Sequence, residues 1–126
     1  MANYRDSRLI NNVKCVPYKN DYTPNRNMVI GNFTPSDFTG SDPQLAVNWT
    51  LPVLNAQQNS QVEHPLLQFQ PNDMVNLPQT CYGYFLQDEN TLPFALLHAF
   101  RFPTPILLDN VGIPVPCRPV IVVSSQ

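Results

Sequence analysis

Fourteen prolines punctuate this chain of 126 residues, one for roughly every nine positions. A proline fixes φ and has no N–H to donate, so an α-helix cannot run through it without losing a hydrogen bond and crowding the preceding turn. Breaks at that spacing exclude long helices. They leave short strands, edge strands and extended connections.

The apolar pattern fits that restriction. From Val13 to Lys19 the residues Val13, Cys15 and Pro17 alternate with Lys14, Val16 and Tyr18, and Pro17 predicts an edge position. Met28-Val29-Ile30-Gly31 is a short extended piece. At Thr34-Pro35-Ser36-Asp37-Phe38 the threonine suits a helix cap and the proline its first position, which predicts one helical turn ended near Gly40. Gln44 to Asn55 has the cleanest period of two, with Leu45, Val47, Trp49, Leu51 and Val53 sharing one face. Val62 to Gln70 contains Pro65 and reads as an edge strand or a bulge. Cys81 to Leu86 and Phe94 to Phe102 are apolar and aromatic arms around the polar break Gln87-Asp88-Glu89-Asn90, a β-hairpin expected in the middle of a sheet. Pro103-Thr104-Pro105 then interrupts the chain. Ile106 to Leu108, Ile113 to Pro119 and Val120 to Val123 supply the remaining extended segments.

About seven or eight short strands with closely spaced turns predict an all-β fold, an antiparallel β-sandwich or jelly roll, with at most one short helical turn near residues 35–39. The expected organisation is an N-terminal arm over residues 1–12 and a single β-domain over residues 13–126. The expected core scaffold is Trp49, Tyr82, Gly83, Tyr84, Phe85, Phe100 and Phe102, with Gly83 as a close-packing position.

Charged residues make up 13% of the chain, about half the ~25% of an ordinary domain. Asn, Gln, Ser and Thr supply the polarity instead. Such a surface makes hydrogen bonds with little electrostatic repulsion and suits a protein that rests against other protein. The net charge is −2 and the basic residues are scattered, so no stripe exists to track a nucleic-acid backbone. No apolar run approaches the ~18 residues of a membrane span, and the polar start lacks a secretory apolar segment. The expectation is therefore synthesis in a cytoplasm, with no membrane partner and no nucleic-acid partner.

Few residues offer chemistry. Cys15, Cys81 and Cys117 are widely spaced and read as small buried hydrophobes kept reduced. A nucleophile pair of one of them with His64 or His98 has no supporting motif, since no cysteine opens a helix that would lower its pKa. The two histidines stand 34 positions apart and the carboxylates are scattered singles in turns. No cofactor, metal or catalytic residue is expected. The aromatics Tyr82, Tyr84, Phe85, Phe94, Phe100 and Phe102 can form a sugar-binding platform, but a sheet core is their commoner use.

The order of short motifs is also informative. Lys19-Asn20-Asp21-Tyr22-Thr23-Pro24 precedes Gly31-Asn32-Phe33-Thr34-Pro35-Ser36-Asp37-Phe38-Thr39-Gly40. Cys81-Tyr82-Gly83-Tyr84-Phe85-Leu86-Gln87-Asp88, Ala99-Phe100-Arg101-Phe102-Pro103-Thr104-Pro105 and a terminal stretch from Val115 to Ser124 follow. Over residues 17–124 this resembles a family of small virion structural proteins of tailed, cyanophage-like bacteriophages, encoded beside head genes. The chain departs from that pattern at Gly40-Ser41-Asp42, where a Gly-Tyr pair is usual, and in its extra N-terminal arm. The resemblance implies a head decoration or cement protein, located in the virion and assembled in the host cytoplasm. Its implied partners are the major capsid protein and further copies of itself, a trimer being favoured. Tyr4, Arg5 and Arg8 in the arm, and Tyr22, Arg26, Phe33 and Phe38 in the Asn20–Gly40 segment, are the candidate partner contacts. The alternative is a receptor- or carbohydrate-binding module of a tail, neck or fibre.

Overall fold

The computed structural model describes residues 12–46, 53–54 and 60–123. Their strands are β1 (Val13–Tyr18), β2 (Gln44–Ala46), β3 (Val53–Leu54), β4 (Ser60–Glu63), β5 (Leu67–Phe69), β6 (Gln79–Asp88), β7 (Ala95–Leu108), β8 (Val115–Cys117) and β9 (Val120–Val123). They form an antiparallel four-stranded sheet of order β2-β1-β6-β7, a three-stranded sheet β3-β4-β9 and a pair β5-β8. The fold is all-β and sandwich-like. Among the described residues the single helical turn is a 3-10 turn at Ile30–Asn32. It falls a few residues before the expected position, because Pro35 is instead held in an extended bridge to Tyr18. Met28–Gly31 accordingly runs into that turn and is not a strand.

The hairpin expected from the aromatic arms is β6 and β7. Gly83 faces Arg101, Tyr84 faces Phe100 and Phe85 faces Ala99. Only its first arm is central, however. β7 lies at the edge of its sheet among the described residues, and β1 takes the inner place on the other side of β6.

Pro17 is therefore not on an edge strand. It stands opposite Tyr84 of β6 and is fully buried. Its lost donor is harmless for a geometric reason. The Ser36 N–H donates to the Pro17 carbonyl at 2.8 Å, on the side away from β6. The N and C=O of one strand residue point the same way. The missing N–H thus faces the Thr34–Ser36 segment, and the β6 ladder loses nothing.

Three further prolines act otherwise than the sequence suggests. His64-Pro65-Leu66 separates β4 from β5 and carries the chain from one sheet to another. Pro103 and Pro105 do not end β7. Cys81 faces Ile106 while Gly83 faces Arg101, so Tyr82 alone is set against Phe102 to Pro105. Such a wide bulge lets prolines sit in a strand where few ladder bonds depend on them. The long strand expected from Gln44 to Asn55 is described at its two ends, as β2 and β3. Residues 47–52 and 55, with Trp49, lie outside the described residues.

Both faces of the four-stranded sheet are covered. On one, Val13, Cys15, Tyr84, Leu86 and Phe102 pack with Phe69, Val115 and Cys117 of the β5-β8 pair. On the other, Val16, Tyr18, Phe85 and Ala99 are closed over by Phe33, with Tyr22 and Met28 beside it. Burying each large apolar side chain stabilises by roughly 1.5–3 kcal/mol. A strand covered on both faces reads as an unbroken apolar run, as Tyr84-Phe85-Leu86 does.

Candidate functional site

The Asn20–Gly40 segment is expected from sequence to reach outward, and its own side chains tie it down. Asn20 Nδ2 donates to Asn32 O at 2.8 Å, and Asn20 Oδ1 accepts from the Thr34 N–H at 2.7 Å. Asn32 Oδ1 in turn accepts from the Val29 N–H at 2.8 Å. Asp21 pairs with Arg101 of β7, whose guanidinium also lies 5.2 Å from the centre of the Tyr82 ring. These bonds hold the loop against the sheet and drive Phe33 inward. Its ring stacks on Phe85 at 5.0 Å and meets the edges of Tyr18 at 4.9 Å and Tyr22 at 5.0 Å.

Phe33 and Phe38 are therefore core residues, 5% and 2% exposed, and not the partner contacts expected of them. Phe33 closes one face of the sheet with Val16, Tyr18, Phe85 and Ala99, while Phe38 enters the other core cluster beside Phe69, Val115 and Cys117. Tyr22 is half-buried and Arg26 exposed. Tyr4, Arg5 and Arg8 lie outside the described residues, as does the expected arm except Asn12.

The open surface lies beside that loop. Met28, Val29, Ile30 and Gly31 face Pro93, Phe94 and Leu96 across a groove of about 700 Å³. Leu92 stands next to it on the hairpin tip and is 89% exposed. Val29 and Phe94 are also exposed. No charged residue lines the groove. Sequence reasoning read Met28–Gly31 as a short strand or extended piece and the break between the hairpin arms as polar. The signal was present in the triplet Leu92-Pro93-Phe94, three apolar residues in a turn.

Of the scaffold residues, Tyr84, Phe85 and Phe102 are buried, Tyr82 is half-buried, and Gly83 is packed against the β7 backbone at Phe100 and Arg101. Phe100 departs from expectation. It is 42% exposed, because its side chain stands at the sheet edge beyond the reach of the second layer.

The three cysteines, remote in sequence, meet in one core. All are free and fully buried, and the Cys81 and Cys117 thiols point to the backbone carbonyls of Gly83 and Val115. Burial pushes the Cys81 pKa up to about 12, with the neighbouring Cys117 adding to the shift. Cys117 is also raised, by the neighbouring Cys15 thiol and by burial. A thiol held protonated and out of solvent is a poor nucleophile. His98 is shifted the other way, its charged form disfavoured by burial. His64 is buried with Nδ1 2.8 Å from Pro65 O. Among the described residues no three of His, Cys, Asp or Glu are grouped to hold a metal ion. No helix among them is long and apolar enough to cross a membrane.

Comparison with protein-family models, curated proteins and solved structures returned no match.

Proposed function

We propose that this chain is a structural subunit that works by binding other protein, in the role of a capsid decoration or cement protein on a phage head. The observation that carries the reading is the uncharged groove between Met28–Gly31 and Pro93–Leu96, with Leu92 projecting beside it. Exposed apolar surface of this kind is costly for a dispersed monomer and useful at an interface. The low charge of the chain supports the same reading. The partners in this reading are the major capsid protein and further copies of the chain, arranged as trimers that cover otherwise open sheet edges. A cement protein adds contact energy to the assembled shell and none to the free subunits. Particles lacking it are expected to release DNA at a lower temperature than complete particles. Unchanged thermal release would remove the stabilising role.

The alternative, a receptor- or carbohydrate-binding module of a tail or fibre, draws on the cluster of Tyr84, Phe100 and Phe102, whose ring centres lie 5.6 to 6.1 Å apart. A sugar platform needs open ring faces, and of these three only Phe100 is exposed. It is the weaker reading, and a glycan array probed with the native oligomer tests it.

A further inference from the structure

A second depression lies on the opposite side of β7 from the Asn20–Gly40 loop. It is a cleft of about 440 Å³ lined by Leu66, Tyr84, His98, Phe100, Phe102, Pro116, Arg118 and Val120. It opens between His98, Phe100 and Phe102 of β7 and the Leu66, Pro116 and Arg118 side of the second layer. Tyr84 and Phe102, both buried, form its inner wall, and Phe100 stands open at its side. The Tyr84 hydroxyl donates to the Arg118 carbonyl at 2.8 Å. That bond fixes the link between β8 and β9 over the sheet and so sets Arg118 at the rim.

Besides Tyr84, the two polar side chains of the cleft, His98 and Arg118, are uncommitted among the described residues. Lys14, Lys19 and Arg101 each pair with a carboxylate, Glu89, Asp37 and Asp21 respectively. Arg118 is exposed, and among the described residues its guanidinium has no such partner. The His98 ring likewise makes no hydrogen bond to the described residues. An apolar cleft with a free guanidinium at its rim is complementary to an apolar body bearing a carboxylate.

We propose that this cleft receives an apolar or aromatic residue of a partner protein, with an adjoining carboxylate taken by Arg118. A saccharide fits less well, since the Tyr84 hydroxyl is already used within the fold and one open ring is a small platform. The proposal rests on the reading of the chain as a protein-binding subunit. It does not rest on a head location, and its test involves no capsid.

The test is an NMR titration of the whole protein with three probes: N-acetyl-phenylalanine, N-acetyl-phenylalaninamide and glucuronic acid. The acid carries ring and carboxylate, the amide the ring alone, and the sugar the carboxylate without an aromatic body. Saturable shifts at His98, Phe100 and Arg118 are expected with the acid, at an affinity about tenfold above that of the amide, the typical effect of one charge-assisted hydrogen bond. Arg118→Gln should abolish the difference between the two, and Phe100→Ala should weaken both. Both residues are exposed, so spectra away from the cleft should be unchanged. No saturable shift with the acid, or equal affinity for acid and amide, overturns the proposal. Tighter binding of glucuronic acid overturns it in favour of the saccharide.

Discussion

At Gly83 the backbone of β6 comes so close to β7 that a side chain has no room. A Cβ there would run into Phe100 O and lie 2.9 Å from Arg101 Cα and from Tyr18 Cε1. Two of those neighbours are backbone and cannot step aside. Gly83→Ala is expected to destabilise by about 3 kcal/mol, the upper end for overpacking, read as a lower urea midpoint. The thiols make a second prediction at this scale. All three are fully buried, so a thiol reagent should titrate none in the native protein and three after denaturation. Their protonation also sets a response to alkali. Cys81 is raised from 9.0 to about 12, and Tyr18 from 10.0 to about 12, both chiefly by burial. Each group holds its proton more tightly folded than unfolded. The resulting stabilisation is complete below the unfolded pKa and is lost as pH climbs from about 9 towards 12. Urea midpoints measured from pH 8 to 11 should therefore fall steadily. A flat profile would contradict the burial of these groups.

Among the elements, the Asn20–Gly40 loop departs most from its reading in sequence. Its prolines, asparagines and aspartates read as an irregular connection free to reach a partner. In the fold it is a lid whose hydrogen bonds run between Asn20, Asn32, Val29 and Thr34. Phe33→Ala should cost about 3–4 kcal/mol, as for other buried phenylalanines, while Arg26→Ala, at an exposed position, should stay within about 0.5 kcal/mol of the parent. Comparable effects of the two substitutions would mean that the lid is not seated. The β6–β7 hairpin, by contrast, was legible from its two aromatic arms and polar break. Its edge placement was not, because strand order depends on where β1 docks. Nor was the bulge, because local pattern shows a proline pair but not that one facing residue, Tyr82, spans four.

For the molecule as a whole, the proposed binding surface is separable from the core. Leu92 and Phe94 are exposed, so Leu92→Ser combined with Phe94→Ser should leave the stability within about 1 kcal/mol of the parent, about 0.5 kcal/mol per site. The same pair should weaken self-association or particle binding at least tenfold, measured by sedimentation and by co-sedimentation with shells. Unaltered association would move the interface elsewhere. Proline spacing by itself determined that this chain is all-β, since no helix survives breaks at that interval. Alternation and aromatic clustering determined most strand positions and the β6–β7 hairpin. Only the tertiary structure decided which residues face outward. Phe33 and Phe38 turn inward, Phe100 stands at an open edge, and three cysteines far apart in sequence share one core. Periodicity reports that a residue alternates with its neighbours. Whether anything covers the face on which it stands depends on other strands and on a loop that folds back across the sheet, and that is a property of the assembled layers.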